Sequence, residues 1–115
     1  MTKLQIHIGE KFADMSRRVL DAVARAEIGP IEPEEHLNFE TWETLTSLMT
    51  TKRFELLRQL HAQPEASIAS LARTLGRDYK RVHQDVEALA NAGLIERDST
   101  GLRTGYDEIT TRIAL

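Results

Sequence analysis

A short segment in the second half of the chain concentrates cationic side chains at helical spacing. Arg73, Arg77, Lys80 and Arg81 fall within nine consecutive positions, and Gln84 follows one turn later. Lysine and arginine bind phosphate oxygens and guanine, and glutamine can make a paired contact with adenine. These residue types suit contact with double-stranded DNA, but such a cluster is also common on a solvated helix. The elements around it decide between the two interpretations.

Two predicted helices joined by a tight turn position these side chains. Ser67 and Asp78 are N-cap residues, and Gly76 allows the sharp reversal between the helices. Each helix has one apolar face: Ile68, Leu71, Ala72 and Leu75 in the first, and Tyr79, Val82, Val86 and Leu89 in the second. The outward positions of the second helix are Lys80, Arg81, His83, Gln84 and Glu87. The second helix of such a pair can enter the DNA major groove.

The flanking segments complete the order of a winged helix-turn-helix. Thr41 is predicted to cap one helix, and residues 51–63 form another with Phe54, Leu57 and Leu60 on its apolar face. Strands are predicted at 94–97 and 104–115, joined by the turn segment DSTGLR. Arg97 and Arg103 would lie on this hairpin, where Arg103 could reach a phosphate or the minor groove.

The N-terminal part is predicted to be an association region. It reads as a strand at 4–8, an amphipathic helix at 10–27, the linker IEPEE at 31–35 and a strand at 36–40. A strand-helix-strand of about 40 residues buries too little surface to be stable alone. It therefore needs the second domain, a second copy or a toxin as partner. A homodimer through Val19, Val23 and the strand Leu4–Ile8 is favoured, because two DNA-binding domains related by two-fold symmetry match the two halves of a symmetric operator.

The composition limits which classes of protein this sequence can belong to. The 115 residues are 41% hydrophobic and carry a net charge of −3. Residues 1–49 carry 5 basic and 9 acidic side chains, and residues 50–115 carry 10 and 9, so a polyanion would meet the second part. There is no cysteine and no apolar run long enough to span a bilayer, and the N-terminus lacks the apolar core of a signal peptide. A cytoplasmic protein without membrane partners is expected.

Residues for catalysis or metal binding are not predicted. The histidines lie on separate predicted elements without metal-ligand spacing, and each is expected at the surface or at its boundary: His7, His36, His61 and His83. No glycine-rich phosphate loop or GxSxG sequence occurs. The acids Glu32, Glu34 and Glu35 are interpreted as solvated charges of the linker. We expect no enzyme, no metal and no cofactor.

The segment SIASLARTLGRDYKRVHQDVEALANAGLIER resembles the helix-turn-helix and first wing strand of MarR-like winged-helix regulators. TWETLTSLMTTKRFELLRQL, GRDYKRVHQDV and GYDEI are closer still to small archaeal and bacterial DNA-binding proteins of antitoxin type. The resemblance covers about residues 35–115. It implies DNA binding by the face from Tyr79 to Gln84. MarR proteins have a larger helical dimerisation region, so the resemblance does not extend to their ligand sensing.

These inferences define one expected protein. The fold is α+β, mainly α, with a winged helix-turn-helix at 50–115 and an N-terminal strand-helix-strand extension at 1–49. The expected function is a dimeric, sequence-specific transcriptional regulator. The expected DNA-binding residues are Arg77, Tyr79, Lys80, Arg81, His83, Gln84, Arg97 and Arg103. The alternative is an antitoxin whose main role is to bind and neutralise a protein toxin.

Overall fold

The chain folds into two compact units of mixed α and β structure. A computed structural model describes residues 2–9, 17–21, 23–24 and 34–115. The first unit is Met1–Leu45 with Asp107–Leu115, and the second is Thr46–Tyr106. The C-terminal strand therefore belongs to the first unit, whereas the sequence assigned it to the second.

The first unit contains a parallel three-stranded sheet. β1 (Lys3–Ile8) lies between β2 (Glu34–Phe39) and β5 (Glu108–Ile113). The predicted strands at 4–8 and 36–40 are confirmed, and β2 extends back into the predicted linker to include Glu34 and Glu35. Residues 17–21 and 23–24 are helical, within the predicted helix at 10–27, whose other residues lie outside the described part.

The central position of β1 corrects two expectations. Both edges of β1 are paired, so the strand Leu4–Ile8 has no free edge with which to join a second copy. His7, expected at the surface or its boundary, is only 2% exposed. Its Nε2 lies 2.8 Å from Nδ1 of His36 on β2. The three apolar side chains of β1 are buried as well, so the middle strand forms the core of this sheet.

Four helices follow in the order that the caps predict: α1 (Trp42–Leu48), α2 (Thr51–Ala62), α3 (Ile68–Leu75) and α4 (Tyr79–Asn91). Side chains of Thr41 and Thr50 accept hydrogen bonds from the first turns of α1 and α2. The buried core of the second unit consists of Leu56, Leu57, Leu60, Ile68, Leu71, Ala72, Val82, Val86, Leu89, Leu94, Ile95 and Leu102.

Two aromatic residues that the sequence placed on apolar faces are exposed, Phe54 at 49% and Tyr79 at 53%. Trp42, at the start of α1, is 51% exposed as well. On α2 the inward positions are Leu56, Leu57 and Leu60, so the buried face is rotated away from Phe54. The ring of Phe54 instead lies under the guanidinium of Arg58, 5.9 Å from its centroid. Spacing alone could not choose between these two faces, since both are apolar.

A short hairpin, β3 (Glu96–Asp98) and β4 (Gly101–Arg103), closes the second unit. The prediction that 94–97 and 104–115 pair with each other was wrong. Leu94 and Ile95 are core residues, and the chain turns at Ser99 and Thr100. The strand at the C-terminus pairs with β1 instead, with Ile109 beside Leu4 and Ile113 beside Ile8.

Candidate nucleic-acid interface

The turn between α3 and α4 is closed by caps on both sides. Ser67 caps α3 by accepting a hydrogen bond from the Ser70 N–H at 3.1 Å. Gly76 ends α3 in the left-handed region at φ 64°, a conformation that favours glycine. The N–H of Arg77 then donates to the Ala72 carbonyl at 3.0 Å. Asp78 caps α4 through the Arg81 N–H, so the reversal takes only three residues.

Packing of α3 against α4 fixes which side of α4 faces solvent. Val82, Val86 and Leu89 are fully buried, and they recur at three- and four-residue intervals along one face. On α3 the buried residues are Ile68, Leu71 and Ala72. The small side chain of Ala72 allows close approach of the two helices. The opposite face of α4 is consequently presented outward.

Three of the positions that the sequence predicted on the outward face of α4 carry exposed polar side chains. Lys80, Arg81 and Gln84 are exposed. None of their side chains forms an ion pair or hydrogen bond with another described residue. Two further residues lie beside them. Tyr79 is 53% exposed, with its ring 5.9 Å from that of His83.

His83 is only partly available for contact. Its Nε2 lies 3.6 Å from a carboxylate oxygen of Glu87, one turn further along α4. Surface pairs of this type contribute little to stability, so a ligand could displace Glu87 at small cost. Lys80, Arg81 and Gln84 thus form the exposed part of this face without a competing partner, and we call them the α4 face.

Arg77 lies at the same turn but is held in an internal ion network. Its Nη2 donates to Asp85 Oδ2 at 2.8 Å, and Arg53 Nε donates to Asp85 Oδ1 at 3.0 Å. The three side chains are only 14–20% exposed. Arg53 also donates to the carbonyl oxygens of Ser47 and Leu48 at the end of α1. The network thus joins α1, α2 and α4, and Arg77 is committed to it.

The hairpin carries one paired and one unpaired arginine. Arg103 contacts Glu96 at 2.9 Å and Asp98 at 2.8 Å. Hydrogen bonds from Arg103 and then from Thr100 hold the pKa of the Asp98 carboxyl below its ordinary value. The same bond to Asp98 raises the pKa of Arg103. Arg97 is exposed and has no side-chain partner in the described part of the chain.

A backbone bridge fastens this hairpin to the loop before α3. Glu65 and Leu102 exchange two hydrogen bonds, of 2.8 and 3.1 Å. A Cβ on Gly101 would lie 2.3 Å from the Glu65 carbonyl oxygen, and its φ is +132°. Only glycine fits this close approach without strain. The Glu65 carboxylate accepts hydrogen bonds from the hydroxyl groups of Ser70 and Thr74 on α3, and these bonds lower the pKa of Glu65.

Comparison with known proteins then places the chain. The family model HVO_A0114 matches residues 48–111, more than half of the 115 residues. The chain belongs to the HVO_A0114 family. No curated protein and no solved structure matches it.

The HVO_A0114 match spans α2, α3, α4 and the hairpin, and with them the whole α4 face. The second unit carries 9 Lys and Arg against 7 Asp and Glu, a balance of +2. The first unit carries 6 against 11, a balance of −5, and the sum is the net charge of −3. The structural boundary thus separates the charges more sharply than the predicted one at residue 49.

Within residues 2–9, 17–21, 23–24 and 34–115, no three His, Asp or Glu side chains are grouped to hold a metal ion. No helix in that part of the chain combines the length and apolarity that crossing a membrane requires.

The sequence interpretation missed the partners of Arg53 and Glu65. Arg53 meets Asp85 across 32 positions, and no local pattern marks that pair. The sequence indicates the Glu65 bridge only weakly. Gly101 follows the polar turn residues Ser99 and Thr100 and precedes one apolar residue, Leu102. The predicted turn segment DSTGLR contains the observed turn at Ser99 and Thr100, but the two paired strands lie closer to that turn than predicted.

Proposed function

We propose that the protein is a dimeric, sequence-specific transcriptional regulator that binds double-stranded DNA through a winged helix-turn-helix. In this proposal α3 and α4 are the helix pair, α4 is the recognition helix and the β3–β4 hairpin is the wing. The bridge at Glu65 adds one backbone-paired residue beside the hairpin. The α+β order of the second unit supports this assignment.

One observation carries the proposal: among the described residues, no acid is paired with the cations of the α4 face. Arg53 and Arg77 are bound by Asp85, and Arg103 is bound by Glu96 and Asp98. Lys80 and Arg81 have no such partner in the part of the chain that the structure describes. Unpaired cations beside an exposed glutamine suit a surface that binds phosphates and base edges.

The roles within the α4 face follow from helix geometry. Arg81 and Gln84 are three positions apart and therefore share one stripe of the helix. We assign base contacts to these two side chains. Lys80 lies about 100° around the helix from Arg81 and is assigned to a flanking phosphate. Arg97 on the hairpin is a second phosphate contact, while the acids around Arg103 reduce its attraction for DNA.

Binding to duplex DNA as a function of salt tests the proposal. The full chain is titrated into a fluorescent mixed-sequence duplex, and a preferred site is selected from a randomised pool. Lys80→Ala should reduce the slope of log K against log salt by about 0.9, because one phosphate contact is lost. Lys52→Ala on α2 is the matched control, since Lys52 is exposed and paired only with Glu55.

Two results would contradict DNA binding by this face. One is a full chain that leaves the mixed-sequence duplex unbound at low salt. The other is a Lys80→Ala or Arg81→Ala variant that binds both mixed and selected DNA as Lys52→Ala does.

A second candidate function, neutralisation of a protein toxin, has one observation in its favour. The helical residues Val19, Leu20 and Val23 are 59%, 69% and 52% exposed. Exposed apolar side chains at this spacing suit a protein partner. Co-expression with the product of the adjacent gene, followed by size-exclusion chromatography, tests this function. A complex that Val23→Glu abolishes would support it, and separate elution of the two proteins would count against it.

A further inference from the structure

β5 (Glu108–Ile113) forms one edge of the parallel sheet and is open to solvent along its length. Among the strands of the described residues, β5 is hydrogen-bonded to β1 alone. All six residues are exposed, among them Ile109 at 38% and Ile113 at 49%. An exposed edge with apolar side chains is a template on which another strand can pair.

The outer side of β5 offers regularly spaced backbone groups. The Ala114 N–H donates to the Ile8 carbonyl at 3.0 Å, so the even-numbered residues direct their backbone groups toward β1. Ile109, Thr111 and Ile113 direct theirs outward. In the part of the chain that the structure describes, these outward groups have no backbone partner. They are free to accept and donate to a further strand.

The sequence of β5 favours pairing with a further strand. EITTRI contains no proline, glycine or lysine, and four of its six residues are β-branched. Its two charged residues, Glu108 and Arg112, are opposite in sign, so they do not repel every strand that could pair with this edge.

The charges of β5 are complementary to those of a second, antiparallel copy. Neither Glu108 nor Arg112 forms an ion pair with another described residue. A two-fold axis through Thr110 places Glu108 of one copy opposite Arg112 of the other, and does so twice. These positions direct their backbone groups inward, so they form the non-hydrogen-bonded pairs, whose side chains approach most closely.

We propose that β5 pairs antiparallel with β5 of a second copy, joining two three-stranded sheets into one continuous sheet. The proposal rests on the dimer of the proposed function and names its interface. Across the axis, the outward groups of Ile109 pair with those of Thr111. Any other strand would need a cation opposite Glu108 and an acid opposite Arg112. A second copy of β5 supplies both.

Charge reversal tests the interface, and no variant has to dimerise more tightly than the unaltered chain. Glu108→Arg and Arg112→Glu each place like charges opposite one another at both symmetric pairs. Each variant alone should show a dimer Kd raised at least about tenfold by analytical ultracentrifugation. Mixed together, the two should form a heterodimer, because every pair is again opposite in charge. Heterodimer formation also demonstrates that both variants are folded.

Single cysteine substitutions test the register of the two β5 strands. The chain contains no cysteine of its own, so any disulfide must involve the introduced residue. Thr110→Cys should form a disulfide-linked dimer under mild oxidation, since residues opposite each other at a non-hydrogen-bonded pair lie within disulfide reach. Thr100→Cys in the hairpin turn is the exposed control and should stay monomeric on a non-reducing gel. Faster cross-linking by Thr111→Cys would overturn the register.

The β5 proposal is overturned if the unaltered chain is monomeric at micromolar concentration, if either reversal leaves the dimer intact, or if the mixture does not associate. DNA binding is measured separately, on the mixed-sequence duplex. Monomeric reversal variants should retain binding through the α4 face. If the chain dimerises but does not bind DNA, the proposed regulator function is wrong and the β5 interface is still supported.

Discussion

Removal of the Asp85 carboxylate should destabilise the second unit more than removal of any surface charge on α4. The carboxylate receives one charge-assisted hydrogen bond from Arg53 and one from Arg77, at 3.0 and 2.8 Å. All three side chains are at most 20% exposed. Asp85→Ala therefore leaves two largely buried guanidinium groups without their shared anion.

The magnitude follows from the number of bonds lost. Hydrogen bonds to charged groups contribute roughly 1.5–3 kcal/mol each, so two bonds set an upper range of about 3–6 kcal/mol. Residual exposure lets water solvate part of both guanidinium groups, and Arg53 keeps its two carbonyl acceptors. We expect Asp85→Ala to lower the free energy of unfolding by about 2–4 kcal/mol. Arg77→Ala should cost less, because Asp85 then retains Arg53.

Urea unfolding followed by far-ultraviolet circular dichroism measures these changes. Glu87→Ala is the matched control: it removes an acid from the same helix, but its partner His83 lies 3.6 Å away and both side chains are at least 36% exposed. Its cost should be about 0–1 kcal/mol. The Arg77→Ala/Asp85→Ala double variant should cost less than the sum of the single ones. Equal costs for Asp85→Ala and Glu87→Ala, or strict additivity in the double variant, would refute a stabilising network.

Two further predictions concern the hairpin and base recognition. Gly101→Ala should lower the free energy of unfolding by at least roughly 1–3 kcal/mol, because its φ is strained for any other residue and the added Cβ meets the Glu65 carbonyl oxygen. Gly105→Ala, whose Cβ would meet only the flexible Glu96 side chain, should have little effect. Equal thermal denaturation midpoints for the two variants would contradict the close approach at Glu65. Gln84→Ala should cost about 1–3 kcal/mol at one operator position and leave mixed-sequence binding unchanged; identical ranking of all single-base operator variants by both proteins would remove Gln84 from base recognition.

The helices could be predicted because their signals are local. Thr50, Ser67 and Asp78 each cap a helix through a side-chain oxygen and a backbone N–H three residues later. Gly76 supplies the left-handed residue that ends α3. Each of these features needs only a few neighbouring residues, so one short window of sequence contains the whole interaction.

The partners of β1 and Asp85 could not be predicted in the same way. Lys3 on β1 pairs with Glu108, and Asp85 meets Arg53 across 32 positions. An alternating strand such as residues 104–115 fits any apolar sheet face, so its pattern does not identify its neighbour. Proximity in the chain favoured pairing of 104–115 with 94–97, and this pairing was wrong. The N-terminal segment obtains its third strand from β5, which lies in the part of the chain assigned to the second domain, one of the three partners expected for it.

The ion network also determines which cations of the α4 region remain available to a ligand. By sequence, Asp85 lies one turn beyond Arg81 and would repel a phosphate bound there. In the fold, two guanidinium groups enclose Asp85, so the cluster of three side chains carries a net positive charge. The acid therefore orders the turn that presents α4 without making its face negative. A variant that removes Asp85 should consequently weaken DNA binding through loss of the turn, although charge alone would predict the opposite.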